Sequence, residues 1–431
     1  MASDSEPFVS SLEAKPNNKS LLSRIKWVNL IALTITPAIG VYGAMTTPLM
    51  AKTLWWSVFL YAFAMLGVTA GYHRLYSHRS FIASTPLHIF LLAGGACAVQ
   101  GSAFWWAREH RAHHRYTDTD LDPYSALNGF LYTHLGWIVL KRDHPPGPTD
   151  VRDLRKNKLV MFQHKNLPIL IPIFGYAIPA IVPGYFWGDW AGGFFYAALF
   201  RLTVVQHSVF CINSLAHWFG DAPFDDKHTP RNHFFTAIVT MGEGYHNFHH
   251  QFPIDYRNAI KWYQYDPTKW FIRASAYLGL STHLQTFPEN EIKKGVLTMS
   301  LKKLKEEQDD IKWPIESKHL PVVDWETFQK QAETTPLILI SGFIHDATGF
   351  EQKHPGGRTI LMQHVGKDAT AAFSGGVYDH SNAAFNLLAM MRVGVLEGGV
   401  EHIKFITPAE RLRIIEQERA GGVEPLRPVV D

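Results

Sequence analysis

At 431 residues the chain exceeds one ordinary domain, so at least two units are expected. A net charge of +3 gives no bulk electrostatic case for a nucleic-acid partner. Only Cys97 and Cys211 are available, both inside apolar stretches, which excludes a disulfide framework and any cysteine-based zinc or iron–sulfur site and fits a reducing compartment.

Residues 1–20 are polar, contain Pro16-Asn17-Asn18 and lack an apolar core. They read as a disordered tail and not as a signal peptide. A mean hydropathy of −0.07 suits a soluble protein, but the apolar residues are concentrated in the first half. Four runs, about 27–50, 53–72, 167–187 and 190–215, are each long enough to cross a bilayer as a helix, and the lipid bilayer is the first partner expected. Lys15, Lys19, Arg24 and Lys26 precede the first run and place the N-terminus in the cytosol. Tyr185, Trp187 and Trp190 mark an interfacial belt at the turn between the last two runs. Arg201 interrupts the fourth run, so that face is expected to point into protein.

A fifth apolar segment, Pro86 to Trp106, contains Gly94-Gly95 and Gly101. A crossing there would put histidines on opposite sides of the membrane, so it reads as one buried or membrane-surface helix. The membrane unit is thus assigned to 21–288, with a cytosolic helical cap. Residues 289–312 read as a charged, solvated helical linker, 313–400 as a small soluble domain, and 401–431 as a tail with a short charged helix at Pro408 to Arg419. The fold class expected is mainly α.

Chemistry concentrates in histidine. In His246-Asn247-Phe248-His249-His250, positions i, i+3 and i+4 share one helical face, so three imidazoles converge. Clustered neutral imidazoles are metal ligands, against the alternative of a His-rich surface turn. The same pattern occurs at His110, His113 and His114, and His73 and His78 close the second run. On an α-helix residues five apart lie about 140° from each other, so His73 and His78 need a helix break or reach different metals. His217 ends the fourth run, and Asn213 lies four residues earlier on its face, placed to orient a ligand or a metal-bound water. Nine histidines exceed what one metal uses. Nitrogen ligation without cysteine admits Fe, Zn, Mn or Cu, and the number argues against a single structural zinc. The isolated His88, His134, His144, His164, His207, His228, His233 and His283 read as surface or hydrogen-bonded residues.

In the C-terminal part, His354-Pro355-Gly356-Gly357 and His380-Ser381 place two histidines beside turn signals. Such a pair can ligate haem iron from both axial positions, which suits electron transfer. Leu361, Phe373, Phe385, Leu388 and Met391 are candidate pocket residues, while His345 and His364 are taken as surface residues.

These motifs carry a resemblance. Gly71-Tyr72-His73-Arg74-Leu75-Tyr76-Ser77-His78-Arg79, Glu109-His110-Arg111-Ala112-His113-His114, Asn213-Ser214-Leu215-Ala216-His217 and Gly242-Glu243-Gly244-Tyr245-His246-Asn247-Phe248-His249-His250 resemble the integral-membrane acyl-CoA delta-9 (stearoyl-CoA) desaturases. The segment around His354 and His380 resembles cytochrome b5, and a C-terminal fusion of this kind is the fungal arrangement. The resemblance implies a four-helix membrane unit plus a small α+β haem domain. It implies two iron ions held by the nine histidines, with Asn213 reaching one through water, and haem b on His354 and His380. It further implies a long saturated acyl-CoA substrate, O2, electrons from NADH-cytochrome b5 reductase, and an endoplasmic reticulum location with both termini and the active site cytosolic. Ser57 and Tyr61 are expected to close the acyl tunnel, as the family equivalents do. Arg152, Arg155, Lys156 and Lys158 are candidates for the CoA phosphates, or ordinary cytosolic loop charges. His207 has no counterpart among the family's ligands. Two rivals remain: a membrane di-iron hydroxylase, and a membrane-anchored cytochrome b5-type electron carrier with structural zinc. Front-end desaturases have glutamine where this chain has His246.

Overall fold

The computed structural model describes residues 20–142, 144–375 and 380–399. The tail readings for 1–19 and 401–431, including Pro408 to Arg419, lie outside the described residues. The chain divides into two compact units, residues 1–304 and 305–431.

Among the described residues, the first unit contains four helices long and apolar enough to cross a membrane: α1 (Trp27–Thr46), α2 (Ala51–Ser77), α5 (Lys158–Trp187) and α6 (Trp190–Trp218). Their ends differ from the hydropathy reading for local reasons. α2 runs past residue 72 because its last stretch, Gly67–Ser77, changes to π-helical hydrogen bonding. α5 starts at Lys158 and not at 167 because the Asn157 side chain accepts from the Leu159 and Val160 N–H groups at 3.0 and 3.2 Å, an N-cap set in polar sequence. Arg201 does face protein: 3% exposed, it donates to the carbonyls of Cys97 (2.8 Å), Ala197 (3.0 Å) and Gly175 (3.0 Å). Carbonyls of three separate segments thus satisfy a cation that lipid would not tolerate.

The fifth apolar segment is two helices where one was expected. α3 (Thr85–Ala98) and α4 (Ala103–Tyr116) meet at 82°. Left-handed Val99 (φ 54°) and Gly101 (φ 81°) break the path, and the Ser102 side chain caps α4 by accepting from the Trp105 N–H. At 14 residues α3 spans about 21 Å, short of a bilayer core of about 30 Å. It packs instead on α2, where a Cβ on Gly67 would lie 2.1 Å from the Gly95 nitrogen. The glycines let these two backbones touch.

Behind the cap helix α7 (His246–Gln251) lies α9 (Glu289–Asp310), with α8 (Pro267–Tyr277) between them in sequence. Ile292 of α9 is 5% exposed and packs with Phe224, Phe248 and Phe252. The solvated-linker reading therefore needs correction at the start of α9, which buttresses the helix carrying His246, His249 and His250. Its later turns are exposed. A short antiparallel pair, β1 (Ile82–Ala83) with β2 (Ser281–Thr282), ties the segment after α2 to the one after α8.

The second unit is α+β. Its sheet has the order β3 (Val322–Val323), β6 (Arg392–Leu396), β5 (Phe343–Asp346), β4 (Leu337–Ile340), with β3 and β6 parallel and the other pairs antiparallel. The β4–β5 hairpin turns on Ser341 and Gly342, both at positive φ (51° and 82°), as a two-residue turn requires. His345 is a correction: it lies in β5 at 3% exposure, not on the surface. Burial, aided by the nearby Arg392 charge, pushes its imidazole down to about 3, so it stays neutral. His364 is partly exposed.

Candidate metal centre

The end of α2 answers how residues five apart can act together. The His78 N–H bonds to the His73 carbonyl at 3.2 Å, an i to i−5 bond. That wider turn brings both rings to one side, with centroids 4.9 Å apart. The expectation of a break or of separate metals is thereby corrected. α4 presents His110 and His114 on one side and His113 on the other, and α7 splits its three the opposite way.

The result is two nests. His73, His78, His110, His114 and His249 form one, and His113, His217, His246 and His250 form the other, with ligand atoms within 4.8 Å of one another in each. In the first, Nε2 atoms meet at 2.9 Å for His73–His249, His78–His110 and His114–His249. In the second, His217–His246, His246–His250 and His113–His250 meet at 3.0, 3.1 and 3.2 Å.

The outer nitrogens are held from behind. His73 Nδ1 meets Glu243 at 2.7 Å and His113 Nδ1 meets Asp122 at 2.9 Å. Tyr124 lies 3.1 Å from His110 Nδ1, and Thr229, itself held by Asp118 at 2.7 Å, lies 2.8 Å from His217 Nδ1. A carboxylate at Nδ1 requires the N–H there, which leaves Nε2 as an inward lone pair. Several lone pairs aimed at one another repel, and a cation between them removes the conflict. The donor set therefore fits metal ions. Burial first, then neighbouring imidazoles, holds His78, His246, His249 and His250 well below the usual histidine range, so they are neutral and able to ligate.

Glu243 is anchored in turn. Arg74, 1% exposed, donates to Glu243 at 2.9 Å, to both oxygens of Asp266 at 2.9 and 3.1 Å, and to the Tyr256 carbonyl at 2.8 Å. Burial pushes the Glu243 carboxyl up, but Arg74 and His73 outweigh it and hold it below the ordinary carboxylate range. Glu243, Asp122, Asp266 and Thr229 were not identified from the sequence as site residues. Only Glu243 offered a signal, three residues before His246.

Asn213 borders a narrow cavity that also touches His73, His110 and His246. Ser57 and Tyr61 are not among its lining: the Ser57 hydroxyl donates to the Thr53 carbonyl at 2.8 Å, and the Tyr61 hydroxyl donates to the Val239 carbonyl. Arg152, Arg155, Lys156 and Lys158 are exposed and line neither cavity at the histidines, and Arg152 is paired with Asp150 at 2.7 Å. Most isolated histidines have hydrogen-bond partners, such as Tyr76 for His88 (2.8 Å), Ser102 for His164 (2.7 Å) and His134 for His207 (3.1 Å).

In the second unit His380 donates from Nδ1 to the Phe373 carbonyl at 2.8 Å and stacks on that ring at 4.2 Å. His354 Nδ1 is shielded and lacks a hydrogen-bond partner. A Cβ on Gly356 would sit 2.9 Å from the His354 ring, so glycine keeps that ring's space clear. Leu361, Phe373 and Leu388 pack in one cluster with Ile338 and Ile340, and Phe385 meets Phe373 edge-on at 4.9 Å. Two imidazoles beside an apolar cluster fit a haem.

Comparison with known proteins agrees with this geometry. Residues 19–286 match the family described as Fatty acid desaturase, and residues 324–397 match the Cytochrome b5-like Heme/Steroid binding domain. The chain is 50% identical to "Probable acyl-CoA desaturase" of Schizosaccharomyces pombe, over 88% of this chain and 78% of that protein. It is 47% identical to "Acyl-CoA desaturase 1" of Saccharomyces cerevisiae, over 86% and 74%. It is 37% identical to human "Stearoyl-CoA desaturase 5", over 62% and 83%. The chain is thus a multi-pass membrane protein that belongs to the fatty acid desaturase family and carries a cytochrome b5-like domain at its C-terminal end.

Proposed function

We propose that this chain is an acyl-CoA delta-9 desaturase, inserting a cis double bond into long saturated acyl-CoA with O2 as oxidant. The observation that carries the reading is the double nest of inward Nε2 atoms, backed at Nδ1 by Glu243 and Asp122. Breaking unactivated C–H bonds needs an oxidant that no side-chain acid or base supplies, and two bound iron ions would supply it. His73, His78, His110, His114 and His249 would hold one ion, and His113, His217, His246 and His250 the other, with Asn213 reaching an ion through water. Glu243 and Asp122 keep the imidazoles in the ligating tautomer, and the Arg74–Asp266 pairing holds Glu243 in place. Trp106, Val209 and Ile212 give the cavity beside His73 and His246 an apolar wall that favours an acyl chain over water.

His354 and His380 would hold haem b. Electrons would arrive from NADH through cytochrome b5 reductase, and tethering raises the donor's effective concentration without any new contact. Exposed Arg152, Arg155, Lys156 and Lys158 remain candidates for the CoA phosphates, and Ser57 and Tyr61 for the far end of the acyl chain. The setting is the endoplasmic reticulum membrane with the centre on the cytosolic side, in line with the basic residues before α1. Names of the relatives support the reaction and the delta-9 position. The test is expression in cells lacking their own delta-9 desaturase, with gas chromatography of fatty acids. New delta-9 monounsaturates are expected, and a hydroxylated chain without alkene would overturn the reading.

A further inference from the structure

Two cavities reach the histidines from different sides and share no lining residue. The apolar one, about 30 Å³, touches His73, His110 and His246. The other is larger, about 200 Å³, and touches His114 and His250. Those two rings stack at 4.1 Å with 15° between their planes, and they belong to different nests. The larger cavity therefore ends where the nests meet. Its walls include Arg115, Thr119, Asp225, His228, Asn247 and Gln251, of which Arg115, Thr119, His228 and Gln251 are exposed. With these polar groups in its walls it has room for several hydrogen-bonded waters.

We propose that this polar cavity is the aqueous port of the metal centre, through which ferrous ions, protons and water enter and leave. The inference rests on the di-iron desaturase reading. In that reaction two adjacent carbons each lose a hydrogen as the alkene forms. One O2 is reduced to two waters by those hydrogens together with two electrons from the haem chain and two protons from solvent. Solvent protons and product water need a polar path, which an apolar cavity filled by an acyl chain does not offer. The ions themselves must cross from water to buried nitrogens, and Asp225 and His228 offer polar stops on the way.

The test uses full-length, iron-loaded, reduced protein in detergent, mixed with a water-soluble ferrous chelator. Iron content is read by elemental analysis and iron release by absorbance. Gln251→Trp and Thr119→Trp place bulk at exposed positions on the port wall, where folding tolerates it. Both are expected to retain the wild-type iron content and release iron several-fold more slowly. Saturating acyl-CoA is expected to leave the release rate unchanged, because its acyl chain approaches from the apolar side of the centre and not through the port. Unchanged release in both variants, or protection of the iron by acyl-CoA, would overturn the port. Because the readout is iron and not alkene, a failed port and a failed desaturase reading are told apart.

Discussion

Replacing Asp122 by asparagine tests the outer frame of the centre with almost no change in shape. The His113–Asp122 pair is buried at 1% and 0% side-chain exposure and 2.9 Å long. Asp122 also accepts the backbone N–H groups of Asp118 and Tyr124, each at 3.1 Å. The carboxylate is thus a locked acceptor with no freedom to donate. An amide there keeps one acceptor oxygen and turns an N–H₂ either toward a backbone N–H or toward His113. The second arrangement moves the imidazole proton to Nε2, the atom that faces the other histidines. Loss of such an outer hydrogen bond costs about 10–100-fold in metal affinity, or about 1.4–2.8 kcal/mol. The loss should fall on the nest of His113, His217, His246 and His250, with the other nest retaining its ion. Titrating full-length protein with iron against a competing chelator reads each affinity, and the haem absorbance serves as an internal control. Asp122→Asn with wild-type iron affinity at both nests would show that the outer carboxylate does not set the tautomer.

Four further outcomes are expected. His249→Ala should abolish new monounsaturated fatty acids in the desaturase-deficient host while leaving the haem spectrum intact, and normal unsaturation would refute the assignment of the nests. His354→Ala should remove the haem spectrum and most turnover, with residual activity restored by added free cytochrome b5. Glu243→Gln removes one of the two carboxylates paired with buried Arg74, leaving Asp266 as its counter-charge, and should destabilise the membrane unit by about 1.5–3 kcal/mol, read as a lowered unfolding temperature in detergent. Ile292→Ala should cost about 2–5 kcal/mol by opening a cavity behind α7, and unchanged stability would show that α9 is only a tether.

The identities of the metal-ligand candidates were legible because they rest on local spacing. H-x-x-H-H puts three rings on one helical face whatever surrounds it, and apolar runs of bilayer length announce four crossings from composition alone. The candidate haem ligands were named for a similar reason, since His354 and His380 sit beside their own turn glycines. Other features needed the third dimension. His73 and His78 share a nest because α2 changes to π-helical bonding, which a reading at 3.6 residues per turn cannot anticipate. The break at Val99–Gly101 turned one apolar segment into two helices, since hydropathy measures aversion to water and does not distinguish lipid from protein interior. Burial of His345 and Ile292 escaped for the converse reason, being decided by neighbours distant in sequence. Partition of nine histidines into five and four belongs to tertiary structure as well, and so does the pinning of His73 by Glu243, 170 residues downstream. Spacing determined which side chains are candidates for the chemistry; only long-range packing decided which of them meet, and in which protonation state they do so.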